Sequence, residues 1–335
     1  MAKFDVFGMC NPLYDLQAVV TDELIQELGL EKGGMFLVDE ARQSEIVPAI
    51  YSNVVLTAAG GSGANSMTGV SLLGGKACYA GRVGNDNHAA LYEQGLIDKG
   101  VASSLGRGDG TTGICLVLVT PDTQRTMCTF LGCCVELCPD DIRLDLLEAS
   151  KYLYVTAYLW DTDGQKAAVQ YAMRKAQDAG VKVSLSLSDP FCVNRHKQDL
   201  LDLTRKHVNV VIGNRLEAEA LTDTDNPADA ARRLAEHADV AVVTKDSQGS
   251  LICSKGEMIE VPAFRVSPVD TTGAGDMYAA GFLYGLTQGH DLYRCGSLAS
   301  YVAAQVVSQF GPRLDAVDDD LVGSILAKSP VSPTS

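Results

Sequence analysis

The chain has 335 residues, 46% of them hydrophobic, with 27 Lys and Arg against 42 Asp and Glu for a net charge of −15. That balance, with no run of basic residues, excludes a nucleic-acid-backbone binder, because such affinity grows with clustered Lys and Arg. It leaves room for a small anionic ligand held by a few backbone N–H groups and one Arg.

No stretch approaches the roughly 18 apolar residues of a membrane span, and Met1 to Gly8 lacks the apolar core of a secretory signal, so a cytoplasmic protein with no membrane partner is expected. Its ten cysteines then read as free thiols. Cys128, Cys133, Cys134 and Cys138 lie close together but lack the His or second Cys pair that completes a tetrahedral metal site.

In chain order, Phe4 to Gly8 reads as a strand, Gly63 to Leu73 as a helix rich in small residues, Ala77 to Gly81 as a strand and His88 to Gly100 as a glycine-closed helix. The alternation resumes with a strand at Tyr152 to Val155, a helix at Gly164 to Ala179 and a strand at Val181 to Leu187. It continues with a helix at Lys197 to His207, a strand at Val208 to Ile212, helices at Glu217 to Leu221 and Pro227 to Glu236, and a strand at Val240 to Thr244. Such alternation predicts βαβ units around a mainly parallel sheet with helices on both faces. Leu16 to Val20 with Gly34 to Val38, and Thr112 to Thr120 with Arg125 to Phe130, read as strands without crossover helices and predict a small separate sheet. The second pair is joined by the turn-like Pro121-Asp122-Thr123. No linker divides residues 1–328, and the Ser/Pro-rich 329–335 reads as a disordered tail.

The chemistry concentrates at Val269-Asp270-Thr271-Thr272-Gly273-Ala274-Gly275-Asp276, followed by the helical run Met277 to Leu286. Glycines at 273 and 275 permit a tight turn that bares N–H groups at a helix start, which makes an anion site. A carboxylate inside an anion site points to a chemical role: Asp276 can take a proton from a substrate hydroxyl while Gly273, Ala274 and Gly275 steady a transferring phosphoryl group. A P-loop is not available, since Gly74-Gly75-Lys76 is followed by Ala77.

Asp270 to Asp276 resembles the second signature of the ribokinase, or PfkB, family of sugar and nucleoside kinases, and Ala59-Gly60-Gly61-Ser62-Gly63-Ala64-Asn65-Ser66 resembles the first. The resemblance implies a three-layer α/β sandwich with a mainly parallel central sheet and a small β-sheet lid, drawn from about residues 11–40 and 108–131. It implies that Gly60, Gly61, Ser62 and Asn65 meet the acceptor. Gly8 to Asp15 resembles the opening of the family's adenosine-kinase branch, where Asn11 and Asp15 would hold ribose hydroxyls; Asp15 can accept two hydrogen bonds from a diol. Asn214-Arg215-Leu216-Glu217 resembles the element that organises Mg2+ beside ATP, and is also a capping-box pattern. The resemblance further implies nucleotide contacts at Thr244, Gly249 and Thr271, and a lid clamp on phosphate at Arg125. K+ at backbone oxygens before Asp276 and after Gly311 stays open, as does the choice between monomer and homodimer.

Leu187-Ser188-Asp189-Pro190-Phe191 and Cys115 resemble the adenosine-kinase branch, with Tyr158, Trp160 and Phe191 available as an aromatic wall. Met35, Met127, Thr129 and the Asp-Thr-Thr form of the second signature depart from it. The reading is therefore a kinase acting on adenosine. The alternatives are a free-sugar kinase and a non-catalytic nucleoside-binding protein on the same fold; a dinucleotide oxidoreductase lacks its Gly-x-Gly-x-x-Gly after the first strand.

Overall fold

The computed structural model describes residues 2–122 and 124–327, so the predicted tail 329–335 and Thr123 of the predicted turn lie outside the described residues. The strands are β1 (Phe4–Met9), β2 (Leu13–Val19), β3 (Met35–Leu37), β4 (Val54–Gly60), β5 (Ala77–Val83), β6 (Ala102–Arg107), β7 (Gly113–Val119), β8 (Arg125–Phe130), β9 (Ser150–Thr156), β10 (Lys182–Ser186), β11 (Val210–Asn214), β12 (Val240–Thr244), β13 (Ser250–Ser254) and β14 (Glu257–Val261). The helices are α1 (Asp22–Glu27), α2 (Glu40–Ile50), α3 (Ser62–Leu72), α4 (Asn87–Asp98), α5 (Leu144–Leu147), α6 (Asp163–Asp178), α7 (Pro190–His207), α8 (Arg215–Thr222), α9 (Pro227–Ala235), α10 (Ala274–Thr287), α11 (Leu292–Val307) and α12 (Asp319–Ala327).

Among these residues a nine-stranded sheet runs β14-β13-β12-β11-β10-β9-β1-β5-β6, every pairing parallel except the two that add β13 and β14. Alternation along the strands divides the core. Tyr152 and Tyr154 of β9 face a layer containing Met67 of α3 and Phe282 of α10. Leu153 and Val155 face one containing Ala172 of α6 and Leu200 of α7. The expected three-layer α/β sandwich is thus the observed one. Helix α6 illustrates its origin: Thr162 caps it by accepting from the Gln165 N–H, and Ala168, Val169, Ala172, Met173 and Ala176 make a buried stripe at helical spacing.

The second sheet has five strands in the order β3-β8-β7-β2-β4. The hairpin between β7 and β8 is as expected. The expected partnership of the first two lid segments is not: β2 pairs with β4 and β7, and β3 pairs with β8. Strand β4 escaped notice because Val54–Gly60 leads straight into the glycine-rich first signature. Helix α7 also begins earlier than Lys197, capped by Asp189 with Pro190 in its first turn; a kink at His196 and the polar Asn194-Arg195-His196 hide its periodicity. Helix α11 and the antiparallel β13 and β14 were not anticipated either. All ten cysteines are free, and no described helix is long and apolar enough to cross a membrane.

Helices α3, α10 and α11 approach through small residues. A Cβ on Gly69 would fall 2.6 Å from the Ala280 Cβ, and one on Gly281 would fall 2.7 Å from the Ala299 Cα and 3.0 Å from its N. Because backbone blocks the second position, Gly281→Ala is expected to destabilise the protein by about 1–3 kcal/mol despite alanine's better helix propensity. The urea-unfolding midpoint checks this, and an unchanged midpoint would mean that the α10–α11 contact yields.

Candidate active site

Because the strands of the central sheet run parallel, their carboxyl ends collect on one edge, and in open α/β sheets ligands bind there, where the strand order reverses. Here the order reverses between β1, which leads towards β5, and β9, which leads towards β10. The residues after these two strands touch: the Asn11 amide donates to the Tyr158 carbonyl at 3.2 Å and accepts from Gln165 Nε2 at 2.8 Å. Asn11 is buried, with one N–H and one lone pair left over.

Two of the helices that start at this edge begin at glycine. Helices α4, α6, α7, α8 and α11 are capped by side chains of Asp86, Thr162, Asp189, Asn214 and Asp291. Helix α3 instead starts after Gly61 (φ 86) and α10 after Gly273 (φ 78), neither with a side-chain cap. Positive φ explains glycine at both positions. Within α10, the Ala274 N–H bonds the Thr271 carbonyl at 3.2 Å. No hydrogen bond among the described residues engages the N–H of Gly275 or Asp276. The space where a Gly275 Cβ would stand is open. These are unfilled donors at the positive end of a helix dipole.

Asp276 stands at their centre. Ser62 Oγ donates to its Oδ1 at 2.5 Å and Asn65 Nδ2 to its Oδ2 at 2.8 Å, so both side chains expected to meet the acceptor are turned towards this carboxylate. Burial raises the Asp276 pKa, opposed by the bonds from Ser62 and Asn65 and by the nearby Arg313 charge. Arg313 was missed in the sequence; its Nε donates to Asn65 Oδ1 at 2.7 Å. The only local signal was a lone basic residue after Gly311-Pro312, which by itself says nothing of partners.

The lid brings two further charges. On β2, Asp15 lies opposite Ala58 and Cys115 and forms no hydrogen bond or ion pair among the described residues. A Cβ at Gly60 would fall 2.1 Å from Asp15 Oδ2, so glycine makes room for that carboxylate. Burial pushes the Asp15 pKa up to about 7; Arg313 and Arg125 pull it down and Asp276 raises it. On β8, Arg125 is ion-paired with Asp270, another residue not singled out in the sequence. Asp270 also accepts from the N–H groups of Thr272 at 3.0 Å and Gly311 at 2.8 Å. Arg125, Asp270, Thr271 and Thr272 line a cleft of about 250 Å³ just before the open N–H groups.

Farther along the edge, Asn214 and Glu217 form a complete capping box: Glu217 accepts from the Asn214 backbone at 2.8 Å and from its Nδ2 at 2.6 Å, while Asn214 Oδ1 accepts from the Glu217 N–H at 2.9 Å. Glu217 is buried with no cation in ion-pair distance among the described residues. Burial lifts its pKa to about 7, offset by the Asn214 N–H and increased by Asp189 and Asp276. Such an acid fits a hydrated cation, which needs only one or two protein oxygens. Thr244 ends β12 opposite Asn214. Gly249 serves the following turn, where a Cβ would meet the Val261 carbonyl at 2.0 Å.

The aromatic wall is only partly assembled. Tyr158 stands at the edge, its hydroxyl donating to the Ser188 carbonyl at 3.3 Å. Phe191 is 80% exposed at the start of α7. Trp160 does not join them: it is buried in the layer with α6 and α7, and its indole N–H bonds Asp199 at 2.9 Å. The inner face of the lid instead offers an apolar patch of Leu13, Cys115, Val117, Val119 and Met127; the Cys115 thiol accepts from Thr129 at 3.4 Å.

A parallel α/β sandwich with a β-sheet lid, an uncapped helix start and an acid at that start defines the ribokinase-like class of kinases. The chain matches the pfkB family of carbohydrate kinases over residues 36–319 and belongs to that family. It is 31% identical to the adenosine kinase of Saccharomyces cerevisiae over 330 residues, which cover 90% of this chain and 94% of that one. Among solved structures, the adenosine kinase of Sinorhizobium meliloti superimposes with a TM-score of 0.86 at 37% identity, covering 96% of this chain and 98% of the other. A probable sugar kinase protein of Rhizobium etli superimposes with a TM-score of 0.89 at 36% identity, covering 97% and 99%.

The pKa of Asp15 implies a pH dependence with a definite sign. The folded protein holds that proton up to about pH 7, whereas the unfolded chain releases it near 3.8, so the native state binds more protons in between and stability falls as pH rises through this window. In the ligand-free protein, Asp15→Asn removes the penalty. Its stability relative to the parent should be near zero at pH 4 and rise to about 3–4 kcal/mol in its favour at pH 8, read from urea unfolding. A difference that does not vary with pH would mean that Asp15 is effectively solvated.

Proposed function

We propose that this kinase transfers the γ-phosphate of ATP to a ribose hydroxyl of a nucleoside, with the 5′-OH of adenosine as the acceptor. The observation that carries the reading is the pairing of Asp276 with the open N–H groups of Gly275 and Asp276: a proton acceptor beside an unfilled anion site. In the reaction, the acceptor hydroxyl gives its proton to the Asp276 carboxylate as its oxygen bonds the γ-phosphorus. The bond from that phosphorus to the β-bridging oxygen breaks, and ADP leaves. The N–H groups take the charge that builds on the transferring group. Arg125, exchanging or sharing its bond with Asp270, clamps the same group as the lid closes and keeps water out.

Asp15 receives the ribose diol. Its two unengaged carboxylate oxygens match two vicinal hydroxyls, and Gly60, Gly61 and Asn11 border the same space. The apolar lid patch around Cys115 and Val117, with Tyr158 and Phe191 at the rim, supplies a surface for a base. Thr244, Gly249 and Thr271 border the nucleotide. Glu217, with Asn214, would hold Mg2+ through its water shell, and the ion when bound neutralises charge on the phosphates. The full-length likeness to an adenosine kinase supports a nucleoside acceptor. The likeness to a probable sugar kinase favours a second reading, a free sugar held by the same Asp15.

The deciding experiment is ATP consumption with magnesium across adenosine, inosine, guanosine, cytidine, ribose and fructose, compared as kcat/KM. Adenosine should lead by at least about 100-fold over ribose, a gap worth about 2.7 kcal/mol of transition-state binding to the base. A leading free sugar would retain the catalytic loop and discard the base surface, and no turnover on any acceptor would favour a binding protein. Asp276→Asn should lower kcat by about 1,000-fold or more while acceptor affinity stays within about tenfold; undiminished turnover would remove Asp276 as the base.

A further inference from the structure

The loop after α11 is fastened to the catalytic loop and braced within itself. Gly311 donates to Asp270, and the Pro312 backbone lies so close to Gly273 that a Cβ there would fall 2.4 Å from the Pro312 oxygen, while Gln309 Nε2 donates to the Arg313 carbonyl of the same loop at 2.7 Å. This anchoring brings the buried Arg313 side chain within electrostatic reach of both Asp15 and Asp276. No carboxylate lies within ion-pair distance of Arg313 among the described residues, and its buried Nη2 has no hydrogen-bond partner among them. Its one side-chain bond is to Asn65 Oδ1.

We propose that Arg313 is a positioning residue: it locks the Asn65 amide so that its NH2 faces Asp276, and it supplies the one positive charge that the acids Asp15 and Asp276 share. The inference rests on the reading of Asp276 as the base. A guanidinium only donates, so the amide atom facing it must be the oxygen, and the atom facing Asp276 is then necessarily the nitrogen. Without Arg313 the amide is free to flip and present its oxygen to the carboxylate, which would drive Asp276 to turn away or take up a proton. Arg313→Lys keeps a donor and the charge; Arg313→Gln keeps neither the charge nor a donor-only head.

The groups facing this pair are all identifiable. The Asp276 charge is felt by Asp15 of β2, Cys10 after β1, Tyr154 of β9, Tyr158 and Glu217 of α8. Arg313 faces Tyr92, Asp15, Asp276 and Tyr79; burial lowers its pKa while those four raise it, and it remains charged. Arg313 is therefore the nearby cation that opposes protonation of Asp276.

The test combines kinetics with a readout that needs no turnover. Arg313→Gln should lower kcat by about 100-fold, leave both KM values within about threefold and move the acid limb of the kcat–pH profile up by about one unit. Arg313→Lys should return that limb to the parent position. Asn65→Ala combined with Arg313→Gln should be slower than Asn65→Ala alone by clearly less than the full Arg313→Gln factor, since the amide lock is already gone and only the charge is left to lose. A loss confined to KM, an unmoved acid limb, or losses that multiply would each overturn the proposal. In parallel, 13C NMR of Asp-labelled protein, with Asp276 assigned through Asp276→Asn, should show its titration midpoint raised in Arg313→Gln and in Asn65→Ala but not in Arg313→Lys. An unmoved midpoint overturns the proposal. If Arg313→Gln fails to fold, Asn65→Ala and Arg313→Lys carry the NMR test. A parent protein silent on every acceptor would sink the kinase reading, while the Asp276 midpoint would still decide the role of Arg313.

Discussion

A carboxylate held where an anion should bind is the constraint on which the rest of this structure depends. At the start of α10 the dipole and the open N–H groups of Gly275 and Asp276 favour negative charge, but burial penalises it. The surrounding protein resolves the conflict by giving both Asp276 oxygens a donor, one from Ser62 and one from Asn65. Those donors sit on α3, and they reach Asp276 only because Gly69 lets α3 approach Ala280 of α10 closely. The small-residue packing that looks purely structural thus sets the geometry of the charged centre.

The lid answers to the same centre from the opposite side. Strand alternation sends Tyr14, Leu16 and Ala18 of β2 into the main core, which leaves Leu13 and Asp15 on the inner face beside Cys115 and Val117. One face therefore holds the lid to the body and the other is free to meet a ligand. Arg125 joins lid to catalytic loop through Asp270, and Asp270 in turn binds the loop after α11 through Gly311. Lid, catalytic loop and C-terminal loop share a single carboxylate, so the charge balance of all three depends on Asp270.

The cap of α8 has an electrostatic consequence. Asn214 and Glu217 complete a capping box, and the same burial that protects the box raises the proton affinity of Glu217. In a sequence a cap and a cation-organising pair look alike, because both need an Asn and a Glu three residues apart at a helix start. Trp160 shows the opposite outcome. As an aromatic near Tyr158 it looked like part of a wall, but the turn after β9 sends it into the other helical layer.

Local features were legible in the sequence. The turns at Gly61 and Gly273, the helix behind each and the acid at position 276 follow from short-range backbone requirements, and the βαβ rhythm follows from side-chain period and helix caps. The tertiary structure alone decided the pairing of β2 with β4 and β7, the inward burial of Trp160, and the meeting of Asn65 with Asp276 and of Arg313 with Asn65 across 211 and 248 residues of chain. The physical reason is range. A φ angle or a cap is set by neighbours along the chain, whereas a partner in space is set by how two layers and a lid close on each other, which no short segment encodes.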